Sequence, residues 1–108
     1  MGRKIEWNKD LYFGEYARDH KRAHIAAIKK RVKAPLLYVI AYSLEEGRRT
    51  RLEIIHNIAF LLPQYEHYKI VGLAEGRQEA FLLVKKMLED SIEKMGNEDI
   101  LAYLQGRE

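Results

Sequence analysis

The sequence predicts an α+β fold, in which a small, mostly antiparallel three-stranded sheet packs against two main helices and a short C-terminal helix follows. Three observations support this prediction. Residues 36–43 are rich in β-branched and aromatic side chains, as strands are. Residues 68–73 form a second such run, which leads through a glycine-containing turn into a long segment. That segment, Arg77–Met95, repeats its apolar residues at helical spacing.

The N-terminal third predicts an apolar segment over 7–13 and then a helix over 15–33. The apolar segment is expected to lie against the core, where it can add an edge strand to the sheet. Ile25, Ile28 and Val32 fall within about 60° of one another on a helical wheel and form the predicted buried stripe. Pro35 is expected to end the helix, because the residue before a proline avoids helical backbone angles.

The strand predicted over 36–43 has two uncharged faces. Tyr38, Ile40 and Tyr42 alternate onto one face, and apolar residues also form the other. Both faces should therefore be covered, while the two main helices are expected to pack on one face only. A second copy of the chain is the simplest cover for the aromatic face. The prediction is a non-enzymatic interaction protein that acts as a homodimer through Tyr38, Ile40 and Tyr42.

The next segment, 52–62, allows two interpretations. It can form an antiparallel strand near 52–55 and then a short helix that ends at Pro63. It can also form one helix, because Thr50 and Glu53 have capping-box spacing. Short apolar runs do not separate strand from helix by periodicity. We favour the strand followed by the short helix.

The helix Arg77–Met95 is expected to end at Gly96, which suits a left-handed cap, and Asn97 is expected to cap the short final helix. Its predicted buried stripe consists of five apolar residues, Phe81, Val84, Leu88, Ile92 and Met95, and is widened by Ala80 and Met87. Leu82 falls among charged residues instead and is a candidate exposed contact.

Composition excludes several classes of protein. The 108 residues include two prolines, no repeats and no cysteine, which predicts one domain over 1–108 without disulfides or zinc–thiolate sites. The apolar runs are far shorter than the ~20 residues of a membrane-spanning helix, so a cytoplasmic protein without membrane contact is expected. Neither serine lies in a Gly-x-Ser-x-Gly motif. We therefore expect neither a covalent catalyst nor a cofactor.

Basic residues are concentrated in the N-terminal third. Residues 1–33 carry ten Lys or Arg against four Asp or Glu, a net charge of +6, whereas the whole chain has +3. Arg18, Arg22, Lys29 and Lys33 fall within about 60° of one another on the wheel of the predicted helix. This stripe could follow a nucleic-acid backbone, which is the alternative function, or it could be a solvated helix face.

The strand-to-helix turn suggests a more distant alternative, since phosphates bind at such turns in α/β proteins. Gly72, Gly76 and Arg77 are the residues that a small ligand or anion would contact. However, their spacing matches neither Gly-x-Gly-x-x-Gly nor a P-loop. Glu75 and Glu79 would repel an anion, and they already complement the helix dipole.

His20 and His24 are four residues apart on the predicted helix, which is a spacing of metal ligands. No acidic third ligand accompanies them in the same helix turn, and Asp19 points away from them on the wheel. A solvated or partly packed pair is therefore the favoured interpretation, and no metal is predicted. His56 and His67 are isolated in the sequence.

Three segments carry a resemblance to a known family: Trp7 with Leu-Tyr-Phe-Gly-Glu at 11–15, Leu-Glu-Ile-Ile at 52–55, and Ile-Val-Gly-Leu-Ala-Glu-Gly-Arg-Gln-Glu-Ala at 70–80. They resemble small uncharacterised proteins of anaerobic Firmicutes, over most of the chain. The resemblance implies a bacterial cytoplasmic protein. That family comes with no assigned activity, so the resemblance implies no catalytic or binding residue.

Overall fold

The computed structural model describes residues 5–45 and 51–107. Within these ranges the elements follow in the order β1 (Ile5–Phe13), α1 (Glu15–Arg18), α2 (Lys21–Lys29), β2 (Leu37–Ser43), β3 (Glu53–His56), α3 (Asn57–Phe60), β4 (Tyr68–Glu75), α4 (Arg77–Met95) and α5 (Ile100–Gln105). The predicted α+β class is confirmed. In the described part of the chain, each helix is too short or too polar to cross a bilayer.

Within the described ranges the sheet has four strands in the order β1-β4-β2-β3, so the prediction of three was wrong, because the N-terminal segment does add an edge strand. β2 runs antiparallel to both β3 and β4, whereas β1 pairs parallel with β4 at the edge. The pairing of β1 slips between Trp7 and Tyr12. Asn8 lies in this irregular stretch, is buried, and donates from Nδ2 to the Leu104 carbonyl at 3.1 Å. The polar residues around Asn8 thus form an irregularity within an edge strand.

The helices cover both faces of the sheet, so the prediction that the two main helices share one face was wrong. On one face, Ile28 of α2 and Phe60 of α3 pack with Val39. On the other face, α4 and α5 pack over Ile40 and Tyr42. The physical reason is that both faces of β2 are apolar, and helices on opposite sides bury both within one chain.

The helix predicted over 15–33 is interrupted and ends early. Asp19 and His20 donate to the carbonyls three residues before them, at 3.2 and 3.0 Å, which closes α1 with tight turns. α2 then ends at Lys29, because Arg31 adopts a left-handed backbone with φ of 57°. Ile28 is buried as predicted, but Val32 lies beyond the helix and is exposed. Pro35 therefore does not set the helix end.

The strand-then-helix interpretation of 52–62 is confirmed. β3 pairs with β2 and leads directly into α3, whose first turn receives a cap from His56: the Nδ1 atom accepts from the Ile58 N–H at 3.3 Å. Asn57 is buried and accepts from the Ala34 N–H at 2.6 Å. Thr50, on which the alternative capping box depended, lies outside the described residues.

The bounds of α4 agree with the prediction, and Gly96 forms the left-handed cap with φ of 72°. The cap of α5 differs from the prediction. Asp99, not Asn97, accepts from the Ala102 N–H, at 3.1 Å. Asn97 instead accepts from the Asp99 N–H at 2.9 Å and so supports the capping residue.

The helix α4 is rotated about its axis toward the predicted flank formed by Ala80 and Met87, by about 100° from the centre of the other five residues of the predicted stripe. The buried residues of α4 are Ala80, Leu83, Met87 and Ser91. Gly72 of β4 explains the rotation. A Cβ there would lie 2.9 Å from Met87 Cε and 3.2 Å from Leu83 Cδ2, so the missing side chain makes room for both. Of the five central residues of the predicted stripe, Phe81, Ile92 and Met95 are consequently exposed, whereas Val84 still packs against the core.

Candidate functional site

The aromatic face of β2, predicted as an interaction surface, lies inside the protein. Ile40 is 0% and Tyr42 2% exposed, because α4 and α5 cover them. Tyr38 is half-buried and packs edge-on against His56, with ring centroids 5.0 Å apart. A partner could therefore contact Tyr38 but not the other two residues, and the expectation of an accessible face is corrected on this point.

The exposed apolar surface lies on α4 instead. We call Phe81, Val84, Leu88, Ile92 and Met95 the α4 outer seam. Phe81, Ile92 and Met95 are 54%, 45% and 44% exposed, and the other two members are half-buried. Leu82 beside the seam is exposed, as predicted. Phe81, Ile92 and Met95 thus expose apolar surface along α4, whereas Val84 also packs against the core.

The four predicted nucleic-acid contacts are exposed but lie on three separate pieces of backbone. Arg18 belongs to α1, Arg22 and Lys29 belong to α2, and Lys33 follows the left-handed Arg31. The four residues do not form one stripe, because the helix predicted over 15–33 is interrupted between α1 and α2 and ends at Lys29.

The three residues of the predicted anion-binding turn are also separated, because only two of them line the same cleft. Gly76 caps α4 with φ of 88°, a conformation that favours glycine, and it lines an open cleft of about 620 Å³ together with Arg77. Gly72 is buried beneath α4 and does not line this cleft. Glu75 and Glu79 do line it. These carboxylates oppose an anion, as the sequence indicated.

Glu79 organises the backbone around this cleft. Its carboxylate accepts from the N–H groups of Tyr16, Ala17 and Glu75 at 2.9, 3.2 and 2.8 Å. It thereby satisfies donors in the first turn of α1 and fixes the end of β4. Gly14 permits this arrangement, because a Cβ at that position would overlap the Glu79 carboxylate.

His20, His24 and Glu75 come together at the edge of the cleft, and we call them the histidine cluster. His20 Nδ1 and His24 Nε2 lie 2.7 and 2.6 Å from the same oxygen, Glu75 Oε2. The three potential ligand atoms all lie within 4.8 Å of one another. The side chains of His20, His24 and Glu75 are 59%, 13% and 15% exposed. The cluster is therefore partly buried but open to solvent on the His20 side.

Regular backbone positions the histidine cluster. His20 is the N-cap of α2, and its carbonyl accepts from the His24 N–H at 3.0 Å, which fixes the two histidines one helical turn apart. Glu75 is the last residue of β4, and its N–H is held by Glu79. The pair and the carboxylate thus come from a helix start and a strand end.

The electrostatics of the histidine cluster follow from the shared oxygen. Hydrogen bonding to the Glu75 carboxylate, with its negative charge, raises the pKa of His20. The hydrogen bond from His24 lowers the pKa of Glu75, and partial burial opposes this. Each imidazole reaches the carboxylate oxygen through a hydrogen bond, and a cation bound between them would take the place of the protons in these two bonds.

A second polar group ties β1 to the C-terminal part of the chain. We call Tyr12, Asp90, Tyr103 and Arg107 the tyrosine cluster. The Tyr12 hydroxyl donates to Asp90 Oδ2 at 2.5 Å and lies 3.0 Å from the Tyr103 hydroxyl, and Arg107 stacks 4.2 Å above the Tyr12 ring. Partial burial, with the hydrogen bond to Asp90, raises the pKa of Tyr12. Burial alone would raise the pKa of Asp90, but hydrogen bonds from Lys86 and Tyr12 lower it.

Comparisons with protein-family models, with curated proteins and with solved structures found no match to this chain. The resemblance to a Firmicutes family stays a prediction.

Glu75 was not predicted as a partner of the two histidines. An acidic ligand was expected only within the same helix turn, whereas Glu75 lies 51 residues after His24. The His-x-x-x-His spacing was the one available signal. Glu75 could be added only by knowing that α2 begins beside the end of β4.

Proposed function

We propose that this protein is a non-enzymatic interaction module that forms a homodimer through the α4 outer seam. The observation that supports the proposal is an apolar helix face left outside the core, although both faces of the sheet are covered. A bacterial cytoplasmic setting belongs to the same proposal, since it rests on the resemblance and on the absence of cysteine.

The spacing of the seam suits a second helix. Its residues recur at intervals of three and four, the pattern by which one helix presents an apolar face to another. The 19 residues of α4 give a helix about 28 Å long, and the seam follows most of that length.

The charges on α4 favour an antiparallel partner of the same sequence. Residues 77–86 carry three cations against one anion, whereas residues 89–94 carry three anions against one cation. The two halves therefore have net charges of +2 and −2. A twofold axis near Leu88 sets each half against its opposite, with Lys85 of one copy near Glu89 and Glu93 of the other.

The expected dimer is concentration-dependent. One helix face supplies less than the roughly 800 Å² per partner of a standard interface, so the contact belongs with the smaller, transient interfaces. We therefore expect monomer and dimer to exchange in the range accessible to sedimentation experiments.

Analytical ultracentrifugation over a concentration series tests the proposal. Ile92→Glu places a charge in the seam and should shift the protein to monomer. Leu62→Glu is a matched control, because Leu62 is 49% exposed and lies away from α4, and it should leave the dimer intact. Exchanging Lys85 and Glu89 should preserve dimerisation better than either single charge reversal.

Two results would contradict the proposed dimer. One is a wild-type protein that stays monomeric throughout the concentration series. The other is a dimer that Ile92→Glu and Leu62→Glu weaken equally.

Nucleic-acid binding is a second candidate, supported by the exposed cations Arg18, Arg22, Lys29 and Lys33. It predicts that absorbance at 260 nm accompanies the protein through size exclusion at low salt and is lost at high salt. Arg22→Glu with Lys29→Glu should abolish the association. Association that ignores both salt and this charge reversal would contradict it.

A further inference from the structure

We infer that His20, His24 and Glu75 form a binding site for one divalent transition-metal ion, with zinc as the first candidate. The inference goes beyond the proposed dimer and does not depend on it, because the ligands lie on α2 and β4 and the seam lies on the outer side of α4.

The ligand chemistry fits such an ion. Imidazole nitrogens and a carboxylate oxygen are common zinc ligands, and imidazole also suits nickel, cobalt and copper. Magnesium and calcium prefer all-oxygen sites and should bind poorly here. Two neutral imidazoles with one carboxylate provide a single negative charge, which partly neutralises a divalent ion.

The distances are close to those of a metal site. With bonds of about 2.0–2.1 Å, the ligand atoms around a tetrahedral ion lie about 3.4 Å apart. The two histidine–carboxylate distances are 2.7 and 2.6 Å, the lengths of hydrogen bonds. An ion that displaces the shared protons therefore requires only a small outward movement of each ring. The exposed His20 can move most freely.

The backbone around the ligands is already fixed. Glu79 holds the N–H of Glu75, and the same carboxylate holds the first turn of α1, which directly precedes His20. The carbonyl of His20 holds His24. The two ligand-bearing segments are therefore organised without an ion, which lowers the entropic cost of binding one.

Three protein ligands leave at least one coordination position for water or an exogenous ligand, as in open zinc sites. Glu75 also lines the cleft of about 620 Å³, so a bound ion would sit at the edge of that cleft. The residues that line this cleft include three carboxylates and two basic side chains, and Asp19 also favours positive charge at His20.

Isothermal titration calorimetry of the full-length, untagged protein with zinc chloride tests the inference, with magnesium chloride as the control ion. We expect saturable binding of one zinc per chain. His24→Asn, His20→Asn and Glu75→Gln should each weaken it by about 100-fold or more, a loss at or beyond the upper end of the range typical of outer-shell partners. His67→Asn is the matched control: His67 is exposed, has φ of 53°, which asparagine tolerates, and should keep wild-type affinity.

Circular dichroism should verify that each variant is folded, and His20→Asn keeps the test decisive because this exposed residue is dispensable for packing. The visible spectrum of the cobalt-loaded protein gives a second readout, which should change in Glu75→Gln and not in His67→Asn. Absence of saturable zinc binding would overturn the inference. Zinc binding of equal affinity in wild type, Glu75→Gln and His24→Asn would also overturn it.

Discussion

The histidine cluster and the tyrosine cluster both contain a carboxylate with two close side-chain partners, yet they satisfy it in different ways. In the tyrosine cluster, Asp90 accepts hydrogen bonds from the Tyr12 hydroxyl and from the Lys86 ammonium group, at 2.5 and 2.8 Å on separate oxygens. In the histidine cluster, two imidazoles converge on one oxygen of Glu75.

The difference separates a structural role from a binding role. The donors that face Asp90 stay protonated near neutral pH, so this carboxylate is satisfied by the chain's own side chains. Imidazole can be a donor or an acceptor near neutral pH, so the histidine cluster can exchange its protons for a cation. The two clusters thus differ in residue type and in geometry, since only in the histidine cluster do two imidazole nitrogens converge on one oxygen.

The largest expected effect on stability concerns Glu79, whose carboxylate holds the backbone around the histidine cluster. Gly14→Ala should lower the free energy of unfolding by about 3 kcal/mol, because the new methyl group displaces the Glu79 carboxylate from its three backbone donors. Gly106→Ala is the matched control, since its Cβ would meet no atom closer than 3.5 Å, and it should change stability by less than about 1 kcal/mol. Urea unfolding measures both. Equal losses in the two variants would show that Glu79 does not organise this region.

The tyrosine cluster should contribute to stability alone. Tyr12→Phe removes the hydroxyl that donates to Asp90 and should cost about 1.5 kcal/mol in urea unfolding. Zinc affinity measured by calorimetry should not change. A loss of zinc affinity in Tyr12→Phe would contradict the separation of the two clusters.

A smaller effect should appear in the pH dependence of the metal-free protein. The pKa of His20 is raised, so its ion pair with Glu75 stabilises the fold fully below about pH 6.5 and is lost as the pH rises through the raised value. The pKa of Glu75 is lowered, so its contribution is present above about pH 4.5 and is lost as the pH falls through the lowered value.

Thermal unfolding between pH 5 and 8 should therefore show a contribution that declines on the alkaline side, on the scale of one exposed ion pair. His20→Asn should remove this decline, and Tyr12→Phe should leave it in place. A decline that persists unchanged in His20→Asn would assign it to other groups.

Local patterns predicted the position of those elements whose secondary structure follows from their own sequence. β2, β4 and α4 were located within one or two residues at nearly every end, because strand composition and helical spacing are local properties. β1 was obscured by its polar stretch around Asn8, where its pairing with β4 is irregular. Pairing partners and their register are properties of the whole fold, and the sequence of one strand does not contain them.

The rotation of α4 and the histidine cluster were missed for the same reason. The rotation depends on Gly72 of another element, whose missing side chain admits Leu83 and Met87. The cluster depends on Glu75, which the sequence argument assigned to the helix dipole. In both cases the deciding residue lies on β4, and its effect becomes visible only when the helix packed beside it is known.

Thermal unfolding with and without zinc, in Glu75→Gln and Asp90→Asn, tests the central distinction most directly, because these variants make the same change in the two clusters. A ligand that binds the folded state raises Tm. We predict that zinc raises the Tm of Asp90→Asn as much as that of the wild type, although Asp90→Asn starts lower, and leaves the Tm of Glu75→Gln unchanged. An equal zinc-induced shift in all three proteins, or a shift lost only in Asp90→Asn, would contradict the account.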